Sequence, residues 1–334
     1  MSAQIDWGPA RLRATRALAP DVRLFEIEPQ GGFDAPTPGS HLRVIVEIGG
    51  GLDIRHYSVV GPCRDRRYRI AVKRHADSRG GSAYMWGLAE GAHLTISAPT
   101  NHFELSYGRP DYLLLAGGIG ITPIYSMALA LAEAQARFRL LYACRRAEDL
   151  ALADELRERI GDRLRIVLDE RGERIDLSAE IARLHPDGEL YVCGPMGLLD
   201  ATKAEWSAHG RAAHRLRFET FGDSGRFASE TFSVRIPQLD RMVEVPPNQT
   251  MLSALEAAGI DVISDCRRGE CGLCAVTILE ATGVIDHRDV FFSEAERQEN
   301  RKLCACVSRV VGGSVTIDTG DRQVRSPRRA GATA

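Results

Sequence analysis

The 334-residue sequence predicts a multidomain chain: a small antiparallel β-barrel, then an α/β domain built on a parallel sheet, then a C-terminal α+β domain. Three observations predict it. The length exceeds what one hydrophobic core usually holds. The apolar period changes twice, from strand alternation to alternating strands and helices and back again. Five of the eight cysteines crowd between positions 266 and 306.

Residues 1–107 read as the barrel. Short alternating runs such as H-L-R-V-I-V-E-I (41–48) and Y-R-I-A-V-K-R (68–74) are punctuated by P-T-P-G (36–39) and V-G-P (60–62). Residues 108–222 read as the α/β domain. D-Y-L-L-L-A-G-G and F-R-L-L-Y-A-C are buried parallel strands, while I-Y-S-M-A-L-A-L-A-E-A and A-L-A-D-E-L-R-E-R-I are helices. The small, polar run G-D-S-G-R-F-A-S-E (222–230) predicts a linker over 223–231. Strands return from 232, and a helix opens at Thr250 and stops at Gly259. The last domain runs to about 320. The remainder, 321–334, has no periodic apolar face and reads as a frayed tail.

Charge is nearly balanced, 43 Lys and Arg against 45 Asp and Glu, so nothing electrostatic favours nucleic acid or an anionic membrane as partner. No apolar run approaches a membrane span. The N-terminal M-S-A-Q-I-D-W-G lacks the basic and apolar regions of a secretory signal. Outside the cysteine-rich stretch, Cys63, Cys144 and Cys193 are scattered, which suits a reducing cytoplasm better than a disulfide framework.

Cys266, Cys271 and Cys274 stand in S-D-C-R-R-G-E-C-G-L-C. C-x4-C-x2-C followed by a distant cysteine is the plant-type [2Fe–2S] spacing. Gly269 and Gly272 let the backbone wrap closely around a cluster. Zinc ribbons usually bring two C-x2-C pairs, and only one is present here. The distant ligand is Cys304 or Cys306, two residues apart on one strand face, and geometry alone does not choose between them.

Two further motifs precede it. In the barrel, R-H-Y-S (55–58) alone reads as an ordinary strand with one salt bridge. The stretch D-S-R-G-G-S-A-Y-M-W (77–86) adds Gly80 and Gly81, which allow close approach, and Ser82, which can cap the following helix and complete an anion site. In the α/β domain, A-G-G-I-G-I-T-P-I (116–124) places Gly117, Gly118 and Gly120 at a strand-to-helix turn suited to a pyrophosphate. It is G-G-x-G, not the two-half Rossmann fingerprint. Y-V-C-G-P-M (191–196) sets Cys193, Gly194 and Pro195 at the C-terminal end of another strand, where open α/β sheets bind ligands.

In this order the motifs resemble the phthalate dioxygenase reductase family, which joins the flavin and nucleotide domains of the ferredoxin–NADP reductase superfamily to a C-terminal ferredoxin. The resemblance covers about residues 10–318. It implies a six-stranded antiparallel flavin barrel, an α/β nucleotide domain and a β-grasp ferredoxin, with FMN, a [2Fe–2S] cluster and NADH as cofactors. Arg55 would contact the flavin phosphate, Tyr57 and Ser58 the ring, and Gly80, Gly81 and Ser82 the phosphate end. Lys73 matches the strand beside the flavin; His56 is assigned nothing. Thr122 and Pro123 would border the nicotinamide, Cys193 would approach its reactive carbon, and Phe221, in F-E-T-F-G, would stack over the flavin. The V-S-R tripeptide after Cys306 selects Cys306 as the fourth ligand and leaves Cys304 a bystander. Ser58, Thr122, Cys193 and Phe221 are thus the expected catalytic group.

Arg145 and Arg146 could take a 2′-phosphate, but Glu148 and Asp149 follow closely and the reading is NADH. The implied activity is that of an oxygenase reductase: NADH gives a hydride to the flavin, which passes single electrons to the cluster. The expected acceptor is the Rieske centre of an aromatic-ring or O-demethylating oxygenase. Segment 232–320, with thirteen acidic and nine basic residues, could steer docking to a basic partner. The alternatives are a diiron hydroxylase or P450 as acceptor, or a ferredoxin-like carrier or redox sensor that is no enzyme.

Overall fold

In the computed structural model, residues 6–63, 65–74, 80–221 and 227–320 are described. The chain divides into two compact units, one ending at Thr220 and one running from Phe221.

The first unit holds two sheets. β1 (Trp7–Ala19), β2 (Val22–Pro29), β3 (Ser40–Ile48), β4 (Gly51–Ser58) and β5 (Tyr68–Lys73) precede helix α1 (Gly81–Gly87), followed by β6 (His93–Ser97) and the short β7 (Thr100–Asn101). Their antiparallel order is β4-β3-β6-β1-β2-β5, and a Val59–Ile70 bridge brings β5 back to the continuation of β4. Closure removes the sheet edges. Leu42, Val44 and Val46 recur at every second position of β3 and point into a core with Phe25, Ile27 and Ile70.

The second sheet is parallel. β8 (Tyr112–Gly117), α2 (Ile121–Glu133), β9 (Phe138–Cys144), α3 (Ala153–Ile160), β10 (Leu164–Leu168), α4 (Leu177–Arg183), β11 (Glu189–Cys193), α5 (Met196–Ala208) and β12 (Leu216–Glu219) alternate along the chain. The strand order β10-β9-β8-β11-β12 reverses direction between β8 and β11. Every residue of β8 is buried, as a strand covered on both faces requires. The two sheets are joined within this unit. Ser126 of α2 donates to the Val59 carbonyl at 2.9 Å and accepts from the Gly61 amide at 2.8 Å, and Arg16 of β1 meets Glu155 of α3 at 2.7 Å.

The second unit is a mixed sheet crossed by a helix, the β-grasp arrangement. β13 (Phe232–Ile236), β14 (Arg241–Val245), α6 (Met251–Ala257), β15 (Ala275–Ala281), β16 (Val284–Asp286), α7 (Glu294–Glu299), β17 (Lys302–Cys304), β18 (Arg309–Val311) and β19 (Ser314–Asp318) follow in order. The main sheet runs β14-β13-β19-β15-β17, with β13 and β19 parallel, while β16 and β18 form a separate pair. Thr250 caps α6 by accepting from the Ser253 amide at 3.0 Å, and Gly259 lies just past the helix at φ 78°. Met251, Leu252 and Leu255 bury that helix on Val234, Ile236 and Val245.

Several expectations need adjusting. Arg55–Ser58 forms the end of strand β4. Of the expected linker, 223–226 lie outside the described residues, and 227–230 are fastened to the second unit, as shown below. The expected tail, 321–334, also lies outside the described residues. Among the described residues no helix is long and apolar enough to cross a membrane.

Candidate functional site

The barrel presents a cradle at the start of α1. Gly80 precedes the helix at φ 95°, a left-handed conformation in which a side chain would be strained. Gly81 lies directly against Arg55: a Cβ there would sit 2.4 Å from Arg55 Nε. The guanidinium is steadied by Asp53 Oδ2 at 2.6 Å and the Ile54 carbonyl at 3.0 Å. Sequence reasoning gave the cap to Ser82, but Gly80 is the N-cap and Ser82 stands inside the first turn, because only glycine adopts the φ that the entering chain needs. Gly80, as the N-cap, has no side chain to offer the first turn, and the start of the helix lies beside the Arg55 guanidinium, a setting that suits an anion. The part of the motif at 77–79 lies outside the described residues. Lys73 is engaged elsewhere, its Nζ 3.0 Å from Asp21 Oδ2.

Tyr57 is half-buried against the barrel core, and Ser58 is buried at the end of β4. Ser58 Oγ donates to Glu219 Oε2 at 3.4 Å. Glu219 is 1 % exposed, closes β12 and pairs in register with Cys193. Sequence reasoning missed it. The available signal was a carboxylate at the end of the last strand of the sheet, between Phe218 and Thr220.

The switch point between β8 and β11 forms a crevice. Cys193 stands in register with Ala116 on one side and Glu219 on the other. Two glycine turns press together there. A Cβ on Gly120 would lie 2.2 Å from the Cys193 carbonyl oxygen, and one on Gly117 2.6 Å from Pro195 Cδ. A Cβ on Gly194 would meet Gly117 Cα at 3.0 Å. Gly118, at φ 54°, turns the chain into α2. Thr122 and Pro123 are buried in the first turn of α2, and the Thr122 hydroxyl donates to the Ile119 carbonyl at 3.0 Å. Backbone amides at a helix start, opened by residues without side chains, fit a dinucleotide's pyrophosphate. Arg146 is paired with Glu148 at 2.7 Å and Asp149 at 3.2 Å, and Arg145 is exposed. Phe221 follows Thr220 directly and is half-buried.

The second unit gathers the thiols. Cys266 Sγ accepts from the amides of Arg268, Glu270 and Cys271, each at 3.4 Å. Gly269 and Gly272 hold φ of 75° and 72°, and a Cβ on either would collide, with Val307 Cγ2 at 2.6 Å and Phe291 Cζ at 2.3 Å. The loop therefore needs glycine for both its turns and its packing. Burial pushes the Cys266 thiol up to about 11 against the pull of those amides. Cys274 is held down to about 4, first by a hydrogen bond from Cys304 and then by one from Cys306. Sharing with Cys274, followed by burial, raises both of those thiols. Strand β17 pairs Cys304 with Ala275, which sets it beside Cys274. Cys306 feels Cys266 as well as Cys274 and accepts from the Gly269 amide, so it faces the ligand loop. Cys266, Cys274, Cys304 and Cys306 are buried and Cys271 is half-buried, and thiols with amides aimed at sulfur fit an iron–sulfur cluster.

The family model for the 2Fe–2S iron–sulfur cluster binding domain matches residues 234–311, and that for the oxidoreductase NAD-binding domain matches residues 114–204. The chain is 36% identical over 325 residues to the putative toluene-4-sulfonate monooxygenase system reductase subunit TsaB2 of Comamonas testosteroni, covering 95% of this chain and 100% of that protein. Phthalate dioxygenase reductase, described as a modular structure for electron transfer from pyridine nucleotides to [2Fe–2S], superposes with a TM-score of 0.76 at 32% identity, covering 93% of this chain and 98% of that one. The chain belongs to the phthalate dioxygenase reductase family. It is therefore an NADH-dependent flavin and iron–sulfur oxidoreductase, the reductase component of an oxygenase system. Full-length CYP116B46 from Tepidiphilus thermophilus is also similar, with a TM-score of 0.65 and 33% identity. Against it this chain is covered to 93% and spans only 42% of the longer protein.

Proposed function

We propose that this reductase takes electrons from NADH onto FMN and hands them singly, through its [2Fe–2S] cluster, to a Rieske-type oxygenase. The observation that carries the route is the meeting of β4 and β12. Ser58, three residues beyond Arg55, is hydrogen-bonded to Glu219 beside Cys193. A flavin held by Arg55 and a nicotinamide held at the Gly117–Gly120 turn would then share one crevice.

When bound, the flavin accepts two electrons together and releases them one at a time, as a one-electron cluster requires. The protein's part is positioning. Arg55 and the leading amides of α1 bind the phosphate, and Tyr57 and Ser58 border the ring. Ser58 Oγ keeps its proton directed at Glu219 Oε2, which orients the hydroxyl at the hydride path. Thr122, Pro123 and Cys193 would line the nicotinamide side, with Gly194 and Pro195 shaping the turn, and Phe221 would supply the aromatic ring that stacks on the flavin. Cys266, Cys271, Cys274 and Cys306 ligate the irons, and Cys304 stands as a neighbouring thiol. Such clusters sit near about −400 mV, low enough to reduce another protein.

NADH is preferred to NADPH because Glu148 and Asp149 both occupy Arg146, the side chain best placed in sequence for a 2′-phosphate. FMN is preferred to FAD because no recognisable adenosine-binding insert follows Ser82. Eight cysteines, none in a disulfide, suit a reducing cytoplasm. A P450 acceptor is the second reading, favoured by the likeness to the P450-containing CYP116B46 chain. Pairing the holoprotein with purified Rieske oxygenases and P450s from its genomic neighbourhood tests the choice. NADH-driven product formation with a Rieske partner supports the proposal, and turnover only with a P450 overturns it.

A further inference from the structure

Two buried arginines of the second unit hold the chain where it enters that unit. Arg288, 7 % exposed, donates from Nε to Asp286 Oδ2 at 2.7 Å, from Nη2 to the Phe227 carbonyl at 3.0 Å and from Nη1 to Ser229 Oγ at 3.3 Å. Arg309, 3 % exposed, donates from Nη2 to the carbonyls of Glu230 at 2.8 Å and Pro246 at 3.0 Å, and from Nη1 to that of Gln249 at 2.6 Å. Its guanidinium also lies 5.0 Å from the Phe232 ring centroid. Asp286 and Arg309 face each other across the β16–β18 pair, so the two arginines act from one small sheet.

That sheet is tied to the thiol loop. Arg309 follows Cys306 by three residues. Asp289, next to Arg288, accepts from Ser308 Oγ at 3.3 Å, and its Cα would lie 2.8 Å from a Cβ on Gly269. The V-S-R tripeptide thus joins the turn that carries Cys306 to the incoming chain. A fold needing only to satisfy the charge of Arg288 has Asp286 for that, yet both arginines reach out to residues before β13.

We propose that Arg288 and Arg309 are positioning residues for electron passage between the flavin and the cluster. By anchoring Phe227–Glu230 they fix how much chain separates the two units. With the anchor, six residues (221–226) lie between Thr220 and the fixed point, a reach of at most about 21 Å; without it the eleven residues 221–231 before β13 would reach about 39 Å. A shorter tether keeps the cluster at higher effective concentration near its electron donor. The inference rests on the proposed electron route.

The test uses the full-length holoprotein, wild type against Arg288→Met, Arg309→Met, Arg288→Lys and Ser229→Ala. Trypsin cleavage after Arg226 reads the anchor directly. The methionine variants should be cut at least tenfold faster than wild type, with Ser229→Ala and Arg288→Lys between. In anaerobic rapid mixing with NADH, bleaching of the flavin should keep its rate while reduction of the cluster slows two- to threefold or more. The cluster's midpoint potential and visible circular dichroism should stay unchanged. If a methionine variant fails to fold, Ser229→Ala and Arg288→Lys still decide. Unchanged cleavage and unchanged cluster reduction in folded variants would overturn the inference, as would a slower step accompanied by a shifted potential. A wild-type protein whose cluster NADH cannot reduce would instead refute the electron route itself.

Discussion

Replacing Gly120 by alanine should disable the nucleotide crevice while leaving the rest of the protein folded. The added Cβ would sit 2.2 Å from the Cys193 carbonyl oxygen, 2.5 Å from its carbon and 2.8 Å from the Gly194 nitrogen. All three are backbone atoms that no rotamer change can move. Ordinary contact begins at 3.4 Å, so the two turns must part by about 1 Å. Overpacking of this kind costs about 1–3 kcal/mol of stability. A misplacement of about 1 Å costs roughly 100-fold in rate, equivalent to about 2.7 kcal/mol. We expect kcat/KM for NADH with ferricyanide to fall by about that factor, while dithionite still reduces the cluster normally. Gly8→Ala, in open space on β1, serves as control and should leave the kinetics unchanged. A Gly120→Ala protein with wild-type kinetics would refute the account of the crevice.

Three further outcomes are expected. Cys306→Ser should lose the cluster's visible absorbance while Cys304→Ser keeps it; the reverse would reassign the fourth ligand. Mass spectrometry of the released flavin should find FMN, and stoichiometric FAD would contradict the reading of α1. Glu155 is partly buried, which raises its pKa, but hydrogen bonds from Arg16 and Tyr125 and the charge of Arg69 outweigh burial and lower it. The stability it contributes is therefore present above the unfolded carboxyl value of about 4.3 and lost as pH falls through the lowered folded value. Glu155→Gln should cost about 1 kcal/mol at pH 7, limited by partial exposure, and the difference should shrink steadily in thermal melts as pH falls below the unfolded carboxyl value of about 4.3. A deficit that does not shrink on acidification would exclude the charge as its cause.

Local chemistry was legible in the sequence, and long-range pairing was not. The Cys266–Cys274 loop announces itself because its ligands and glycines are neighbours in the chain. The Gly117–Gly120 turn is readable for the same reason. Glu219 was missed because its meaning depends on Ser58, 161 positions away. Nothing in the sequence around Arg288 and Arg309 points to their role; only folding brings Phe227, Ser229 and Glu230 to them. Ser82 was given the cap because serine is a favoured cap residue. The backbone conformation at Gly80, which sequence does not display, decided otherwise. That Cys304 lies beside Cys274 was likewise hidden in the sequence, because strand pairing with Ala275 is what places it there.

The central claim is that hydride transfer belongs to the unit ending at Thr220 and that electrons leave through the other. Ending the chain near Gly225 tests it most directly. The shortened protein should bind FMN, be reduced by NADH in a single turnover and reduce ferricyanide, yet fail with cytochrome c or an oxygenase. A shortened protein that folds and holds flavin but is no longer reduced by NADH would contradict the account.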